Sequence, residues 1–143
     1  MIKWILKIGV CGMISALAAT AQTGSCGKLV GTWRLISAMQ DGQPRENVGK
    51  TQTQLKHVTD TQFTWVMYKN DTKEVVAALG GPCAISGDTY TETPQYGFGI
   101  ADAFKELRDK QQRFTWRVDA DRWKLKGQLS QGTKLDEVWE RVK

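Results

Sequence analysis

Residues 113–129 read RFTWRVDADRWKLKGQL, and this stretch decides the fold class of the chain. Apolar and polar side chains alternate on both sides of residues 119–122, which have the composition of a turn. The apolar residues that share one face are Phe114, Trp116 and Val118 before the turn, and Trp123, Leu125 and Leu129 after it. A period of two is typical of strands with one buried face, so the stretch predicts a β-hairpin with Lys124 and Lys126 facing solvent.

Similar extended segments run through the rest of the chain. They are predicted at 29–39, 55–58, 61–68, 74–79, 83–85, 89–93 and 135–142, with Gly80-Gly81-Pro82 interrupting the chain between two of them. Eight or nine short strands with turns every eight to twelve residues indicate an all-β antiparallel sandwich or barrel. One segment differs, because Ile100–Leu107 has apolar residues at helical spacing and predicts a short helix.

The N-terminus has the features of a secretory signal peptide. Lys3 and Lys7 precede an apolar run over residues 8–19, and Ala19-Thr20-Ala21 is a small-residue cleavage signal. That run is too short for the roughly 20 residues that a membrane-spanning helix needs, and no later segment is long enough. We therefore expect a signal peptide at 1–21, a linker at 22–28, a domain at 29–143, and a secreted or periplasmic protein without a transmembrane segment.

Two cysteines remain after removal of residues 1–21. In an oxidising compartment Cys26 and Cys83 predict one disulfide, the alternative being two separate cysteines. A second alternative is lipid attachment through Cys26, because small residues precede it as in a bacterial lipoprotein signal. Thr23 departs from that signal, since it occupies the position where Leu is usual.

Composition excludes several classes of protein. Six Trp in 143 residues argue against intrinsic disorder, and a single His with three Cys predicts no metal site built from several of these residues. Removing Lys3 and Lys7 lowers the formal net charge from +5 to +3, and the remaining basic residues are scattered. We therefore predict no nucleic-acid partner and no cofactor.

Four segments together resemble the small secreted bacterial lipocalin-like proteins of the calycin group. Gly31-x-Trp33 resembles the opening motif of that group, and 135–142 (LDEVWERV) resembles its closing strand; 63–65 (FTW) and 87–92 (GDTYTE) are also similar. The resemblance implies an antiparallel up-and-down barrel of eight to ten strands with an internal cavity. It also implies that Trp33 plugs one end and that Arg141 packs across its ring.

Within such a barrel, the period-two pattern predicts which side chains face the cavity. They are Phe63, Trp65, Phe114, Trp116, Leu125, Glu137 and Trp139. An inward Glu137 is costly unless it has a partner, which we expect to be a core Arg or Trp N–H, a water or a polar ligand group. Fatty-acid-binding calycins have an Arg-x-Tyr pair where this chain has Glu137-x-Trp139. A single inward carboxylate therefore favours a neutral or cationic amphipathic ligand over an acid.

Three functions are compatible with these features. The first is an exported barrel that binds or carries a small apolar or amphipathic molecule. The second is a structural or partner-binding envelope protein without a ligand. The third is an enzyme with Glu137 or the sole histidine, His57, as acid or base; because no catalytic motif is found, we expect the protein not to be an enzyme.

Overall fold

A computed structural model describes residues 25–100 and 103–143. The predicted signal peptide, the first residues of the predicted linker and two residues of the predicted helix lie outside the described residues.

Ten strands and two short helical turns make up the described part of the chain. Eight strands are longer: β1 (Gly31–Gln40), β3 (Gln52–Val58), β4 (Gln62–Lys69), β5 (Val75–Ser86), β6 (Thr89–Glu92), β8 (Gln112–Asp119), β9 (Arg122–Gln128) and β10 (Lys134–Arg141). Two strands are very short: β2 (Gln43–Pro44) and β7 (Tyr96–Phe98). A 3₁₀ turn covers Gly27–Leu29, and α1 covers Ala103–Leu107.

The eight longer strands close into an antiparallel up-and-down barrel. Each pairs with the next of the eight along the chain, and β10 pairs with β1 to close the ring. Of the two short strands, β2 extends the edge of β1, and β7 adds to β5. The all-β barrel prediction is confirmed, and closure excludes the sandwich that the strand spacing also allowed. A closed ring leaves no unpaired strand edge along the eight-strand path.

The glycine-rich segment at Gly80-Gly81-Pro82 does not interrupt a strand as predicted, because β5 runs through it. A side chain at Gly81 would place its Cβ 2.0 Å from the Thr93 carbonyl oxygen. The Gly80 carbonyl accepts a hydrogen bond from Gln95 N–H, and the Pro82 carbonyl accepts one from Thr93 N–H. The glycines are therefore there because the neighbouring chain passes close to β5.

One end of the barrel, called the closed end here, is sealed around Trp33. The Trp33 indole N–H donates to the Leu29 carbonyl at 2.8 Å, and the ring is fully buried. The Arg141 guanidinium carbon lies 4.1 Å from the Trp33 ring centroid, and Arg141 Nη1 donates to the Val30 carbonyl. Gly31 has a φ of 137°, and a Cβ there would lie 2.5 Å from Arg141 Nη1. Glycine is therefore needed both for the backbone conformation and for room beside the guanidinium.

The chain before β1 is fastened to the closed end by a disulfide between Cys26 and Cys83, whose α-carbons are 6.0 Å apart. Cys26 N–H also donates to the Asp60 carbonyl, and Ile85 N–H donates to the Ser25 carbonyl. The part of the predicted linker that is described is thus bonded to the barrel. The Cys26 sulfur that a thioether-linked lipid would use is occupied by this disulfide. Its loop length corresponds to about 3 to 4 kcal/mol of stabilisation.

Aromatic side chains fill the barrel next to the closed end. The Trp123 ring centroid lies 5.5 Å from that of Trp33, 5.2 Å from that of Tyr90 and 6.1 Å from that of Trp139. These four rings are 0–1% exposed. We call them the aromatic cluster, and because they occupy this half of the interior, any open space lies in the other half.

Replacing Trp33 by Ala should lower the free energy of unfolding by about 3 to 5 kcal/mol, because it leaves a large hole in the aromatic cluster. Chemical denaturation measures the loss. The matched control is Trp116→Ala, since Trp116 is only partly buried and should cost less. Equal losses in the two variants would contradict a special role for Trp33 at the closed end.

Candidate functional site

A cavity of about 230 Å³ lies above the aromatic cluster, towards the other end of the barrel. We call this the open end, because exposed Gln40 and Gln131 contribute to the lining there. The apolar walls are formed by Trp65, Met67, Leu79, Ile100, Leu107, Phe114, Leu125, Leu129, Leu135 and Trp139. Helix α1 contributes Leu107, which is buried, so this helix covers part of the open end.

The charged side chains that line this cavity are Arg45, Lys56, Glu92 and Glu137, and they come from four different parts of the barrel. Lys56 and Glu92 form a buried ion pair with a 3.0 Å distance between Nζ and Oε2. Their side chains are only 4% and 10% exposed. Two formal positive and two formal negative charges therefore share one interior space, which is costly unless each is paired or hydrogen-bonded.

Further contacts stabilise both members of the Lys56–Glu92 pair. The Tyr90 hydroxyl donates to the same Glu92 oxygen at 2.9 Å. Burial, with Glu92 close by, raises the pKa of Tyr90 well above its ordinary value, so the hydroxyl keeps the proton that it donates. The Lys56 ammonium also lies 5.0 Å from the Trp139 ring centroid and 5.2 Å from that of Trp123. The bond to Glu92 and the surrounding ring faces together compensate for the hydration that the Lys56 ammonium loses on burial.

Glu137 is the second buried carboxylate, and its Oε2 accepts the Trp139 indole N–H at 2.9 Å. Burial raises the pKa of the Glu137 carboxyl above its ordinary value, while Lys56 and the Trp139 hydrogen bond oppose the rise. Nearby Glu92 raises this pKa further, and Arg45 lowers it. The second Glu137 oxygen has no hydrogen bond within residues 25–100 and 103–143.

Two further polar side chains line the cavity. Gln54 Oε1 accepts the Trp65 indole N–H at 3.0 Å, which fixes the Gln54 amide while leaving its NH₂ group for the cavity. Arg45 follows β2, and its backbone N–H donates to the Ala38 carbonyl. In the described ranges, the Arg45 guanidinium makes no hydrogen bond or ion pair.

Five of the seven side chains predicted to face the cavity do line it: Trp65, Phe114, Leu125, Glu137 and Trp139. Phe63 points inward but is buried near the closed end, opposite Val58. Trp116 lies beyond the start of β6, where its indole N–H donates to the Gly87 carbonyl. Alternation correctly gave the inward faces of β4, β8, β9 and β10, but it carries no information about depth along the barrel axis.

The expectation of a single inward carboxylate is wrong, because Glu92 also lines the cavity, and two cations that were not predicted there, Lys56 and Arg45, line it as well. A signal was present in the sequence for one of these three side chains, because fixing the β6 register on Tyr90 turns Glu92 inward. On β3 the apolar residues Leu55 and Val58 lie on opposite faces, so alternation alone does not decide which way Lys56 points. Arg45 lies outside the longer strands, so no alternation points to it.

His57 and Glu137 do not come together. His57 is exposed on the outer face, where its Nδ1 lies 3.0 Å from Thr32 Oγ1. The described residues contain no group of three or more His, Cys, Asp or Glu side chains placed to hold a metal ion. None of the helices in the described ranges is long and apolar enough to cross a membrane.

No protein-family model and no curated protein matches the chain. A redesigned β-barrel matches with a TM-score of 0.51 and 15% identity, covering 82% of this chain and 94% of its own. An uncharacterized protein from Bacteroides eggerthii matches with a TM-score of 0.54 and 14% identity, covering 79% of this chain and 98% of its own. A mutant of the fluorescent protein UnaG has a TM-score of 0.42 at 8% identity, too low to support an argument. At these identities the matches establish a shared barrel fold and nothing further.

Replacing Lys56 by Met should lower the free energy of unfolding by about 3 to 5 kcal/mol, because Glu92 is left buried without its cation. Adding Glu92→Gln to this variant should recover part of the loss, since the uncompensated charge is removed. Urea denaturation of the two single variants and the double variant measures the coupling. The control is Arg34→Met in the exposed Arg34–Glu140 pair, which should cost under about 1 kcal/mol. A double variant less stable than both single variants would contradict the pairing.

The raised pKa of Glu137 predicts how stability depends on pH. Above the ordinary carboxyl pKa of about 4.3, the folded state holds more protons than the unfolded state. The free energy contributed by Glu137 should therefore fall as pH rises from that value through the raised pKa. Glu137→Gln should reduce this fall, because an amide does not titrate in this range. Its amide oxygen can still accept the Trp139 N–H, so the local contact is retained.

Urea denaturation of the wild type and Glu137→Gln between about pH 4 and about pH 8 tests this expectation. Glu140→Gln is the matched control, because Glu140 lies on β10 with its carboxylate on the outer face. The prediction fails if Glu137→Gln keeps the wild-type pH profile.

Proposed function

We propose that this protein is an exported, non-enzymatic, lipocalin-like barrel that binds a small amphipathic molecule inside its cavity. The observation that carries the proposal is the lining itself: apolar walls enclose a space that also contains buried charged side chains. Ligand pockets are mostly apolar with a few placed polar groups that fix orientation. The barrel's own side chains do not fill its whole interior, because the aromatic cluster occupies only the half next to the closed end.

Size limits the ligand. The cavity volume of about 230 Å³ is below the ~300 Å³ at the lower end of pockets for drug-sized ligands. This volume supports a compact molecule with one ring or a short chain rather than a long-chain lipid. It agrees with the argument against fatty acids from Glu137-x-Trp139, and it makes no use of ligand chemistry from the matching structures.

Two features support export and the lipocalin-like assignment. The Cys26–Cys83 disulfide is typical of proteins in oxidising compartments, and residues 1–21 have the pattern of a signal peptide. The packing of Arg141 on Trp33 beside Gly31 is the arrangement that the resemblance to lipocalin-like proteins implied. A secreted or periplasmic location follows from these features as part of the proposal.

Binding can be tested with a matched pair of tryptophan variants. Isothermal titration calorimetry with 2-phenylethanol, a compact neutral amphipathic probe, should show one site per chain. Leu129→Trp should abolish binding, because Leu129 lines the cavity and a larger side chain would fill it. Val75→Trp is the control, since Val75 is 44% exposed and is not part of the lining. Native mass spectrometry of protein purified from its own host should also show a co-purified small molecule.

No binding of any compact apolar or amphipathic probe would contradict the proposal. Equal binding by Leu129→Trp and the wild type would place the probe outside the cavity and contradict it as well.

A further inference from the structure

We infer that the cavity selects a zwitterionic ligand, a compact apolar molecule that carries an ammonium group for Glu137 and a carboxylate for Arg45. This inference rests on the proposed function, because it names the class of ligand that the same cavity takes. It follows from which of the four cavity charges are already paired and which are not.

The Lys56–Glu92 pair is closed to a ligand headgroup. Lys56 Nζ and the Tyr90 hydroxyl both bond to Glu92 Oε2, at 3.0 Å and 2.9 Å. The ammonium is surrounded by the rings of Phe63, Tyr90, Trp123 and Trp139, with centroids 5.0–5.8 Å away. A ligand that took either partner would leave the other charge buried and unpaired, which is strongly unfavourable.

Glu137 and Arg45 are the charges that remain for a ligand. Glu137 is only 7% exposed, and its single hydrogen bond in the described residues comes from Trp139 Nε1 to Oε2. Arg45 lines the same cavity and lies close enough to Glu137 to lower its pKa, but its guanidinium makes no hydrogen bond or ion pair within residues 25–100 and 103–143. A buried carboxylate normally accepts several hydrogen bonds, and a guanidinium offers five N–H donors. The Glu137 carboxylate can therefore accept further hydrogen bonds and the Arg45 guanidinium can donate them, and both groups line the same cavity.

The backbone places these two side chains at a suitable separation. Ala38 on β1 pairs with Glu137 on β10, and the Ala38 carbonyl accepts the Arg45 backbone N–H from the other side. Neighbouring strands lie roughly 4.8 Å apart, so the α-carbons of Arg45 and Glu137 are separated by roughly 10 Å. An Arg and a Glu side chain that start at this separation and line the same cavity can both reach one small molecule that enters it.

Charge balance excludes the simpler ligands. A monocation at Glu137 would leave the Arg45 guanidinium without a partner at the same cavity, and a monoanion at Arg45 would face the Glu137 carboxylate. A zwitterion satisfies both groups and adds no net charge to the interior. A guanidinium also binds a carboxylate through two parallel hydrogen bonds, which fixes the orientation of the ligand. The apolar remainder then lies against Leu79, Phe114 and Leu125.

Calorimetry at about pH 7 with four ring-bearing probes tests this inference. The probes are L-phenylalanine (zwitterion), 2-phenylethylamine (cation), 3-phenylpropionate (anion) and 2-phenylethanol (neutral). The wild type should bind L-phenylalanine about ten- to a hundredfold more tightly than either singly charged probe, because each of those lacks one charged hydrogen-bonded contact.

Two charge-removing variants should separate the roles. Arg45→Gln should weaken L-phenylalanine by about tenfold or more, whereas 2-phenylethylamine should bind at least as tightly as to the wild type, because a like charge is removed from the cavity. Glu137→Gln should weaken both of these ammonium probes, and for the same reason 3-phenylpropionate should bind at least as tightly as to the wild type. The matched controls are Arg34→Gln and Glu140→Gln, since that pair is exposed on the outer face. If Glu137→Gln does not fold, Arg45→Gln at its partly exposed position still decides the carboxylate contact.

The outcomes distinguish this inference from the proposed function. If 2-phenylethanol binds but L-phenylalanine gains nothing over the singly charged probes, the zwitterion inference is overturned while cavity binding stands. The same holds if Arg45→Gln and Glu137→Gln leave all four affinities unchanged. If none of the four probes binds, cavity binding fails as well.

Discussion

The ammonium of Lys56 is the charge around which the interior of this barrel is arranged. It enters from β3 among four aromatic rings, and its bond to Glu92 joins β3 to β6 across the barrel interior. Because a desolvated ammonium without a partner is strongly unfavourable, Glu92 must reach it and Tyr90 must donate to the same oxygen. The aromatic cluster lies on one side of this pair and the open space on the other, so the pair marks where packed core gives way to cavity.

The closed end depends on a separate set of contacts. Arg141 lies over Trp33 and bonds to the Val30 carbonyl, while Gly31 leaves the room that the guanidinium occupies. The disulfide from Cys26 to Cys83 then holds the segment before β1 against β5. None of the residues in these contacts lines the cavity. Stability of the closed end and specificity of the open end are therefore carried by different side chains.

The cavity combines apolar walls with charges that are unequally satisfied. Lys56 and Glu92 are fully engaged with each other, whereas Glu137 accepts one hydrogen bond and Arg45 donates none from its side chain in the described ranges. Burial and, to a lesser extent, nearby Glu92 raise the pKa of Glu137, so its ionisation depends on the cations nearby and on what enters the cavity. A ligand that supplies an ammonium would favour the ionised carboxylate and thereby stabilise the folded protein.

Local alternation along the chain was enough to predict an all-β antiparallel fold and the inward faces of β4, β8, β9 and β10. The alternation in 113–129 and in 135–142 correctly turned Phe114, Leu125, Glu137 and Trp139 inward, because a strand of period two has only two registers. The disulfide was predicted from the two cysteines outside the expected signal peptide, with separate cysteines or lipid attachment as alternatives, and the structure shows it. These features depend on local pattern or on counting, which the chain carries without its tertiary structure.

The depth of each side chain in the barrel, the closure of the sheet and the pairing of the buried charges could not be predicted without the long-range contacts of the folded chain. Phe63 and Trp116 have the same alternation as Phe114, yet they lie outside the cavity because strand stagger sets how far each reaches along the axis. The continuity of β5 through Gly80-Gly81-Pro82 depends on the approach of Thr93 from another part of the chain. Lys56 and Glu92 are 36 residues apart and meet only because β3 and β6 belong to one closed ring. Such contacts depend on the register between strands that are far apart in the sequence, and the alternation within one strand does not specify that register.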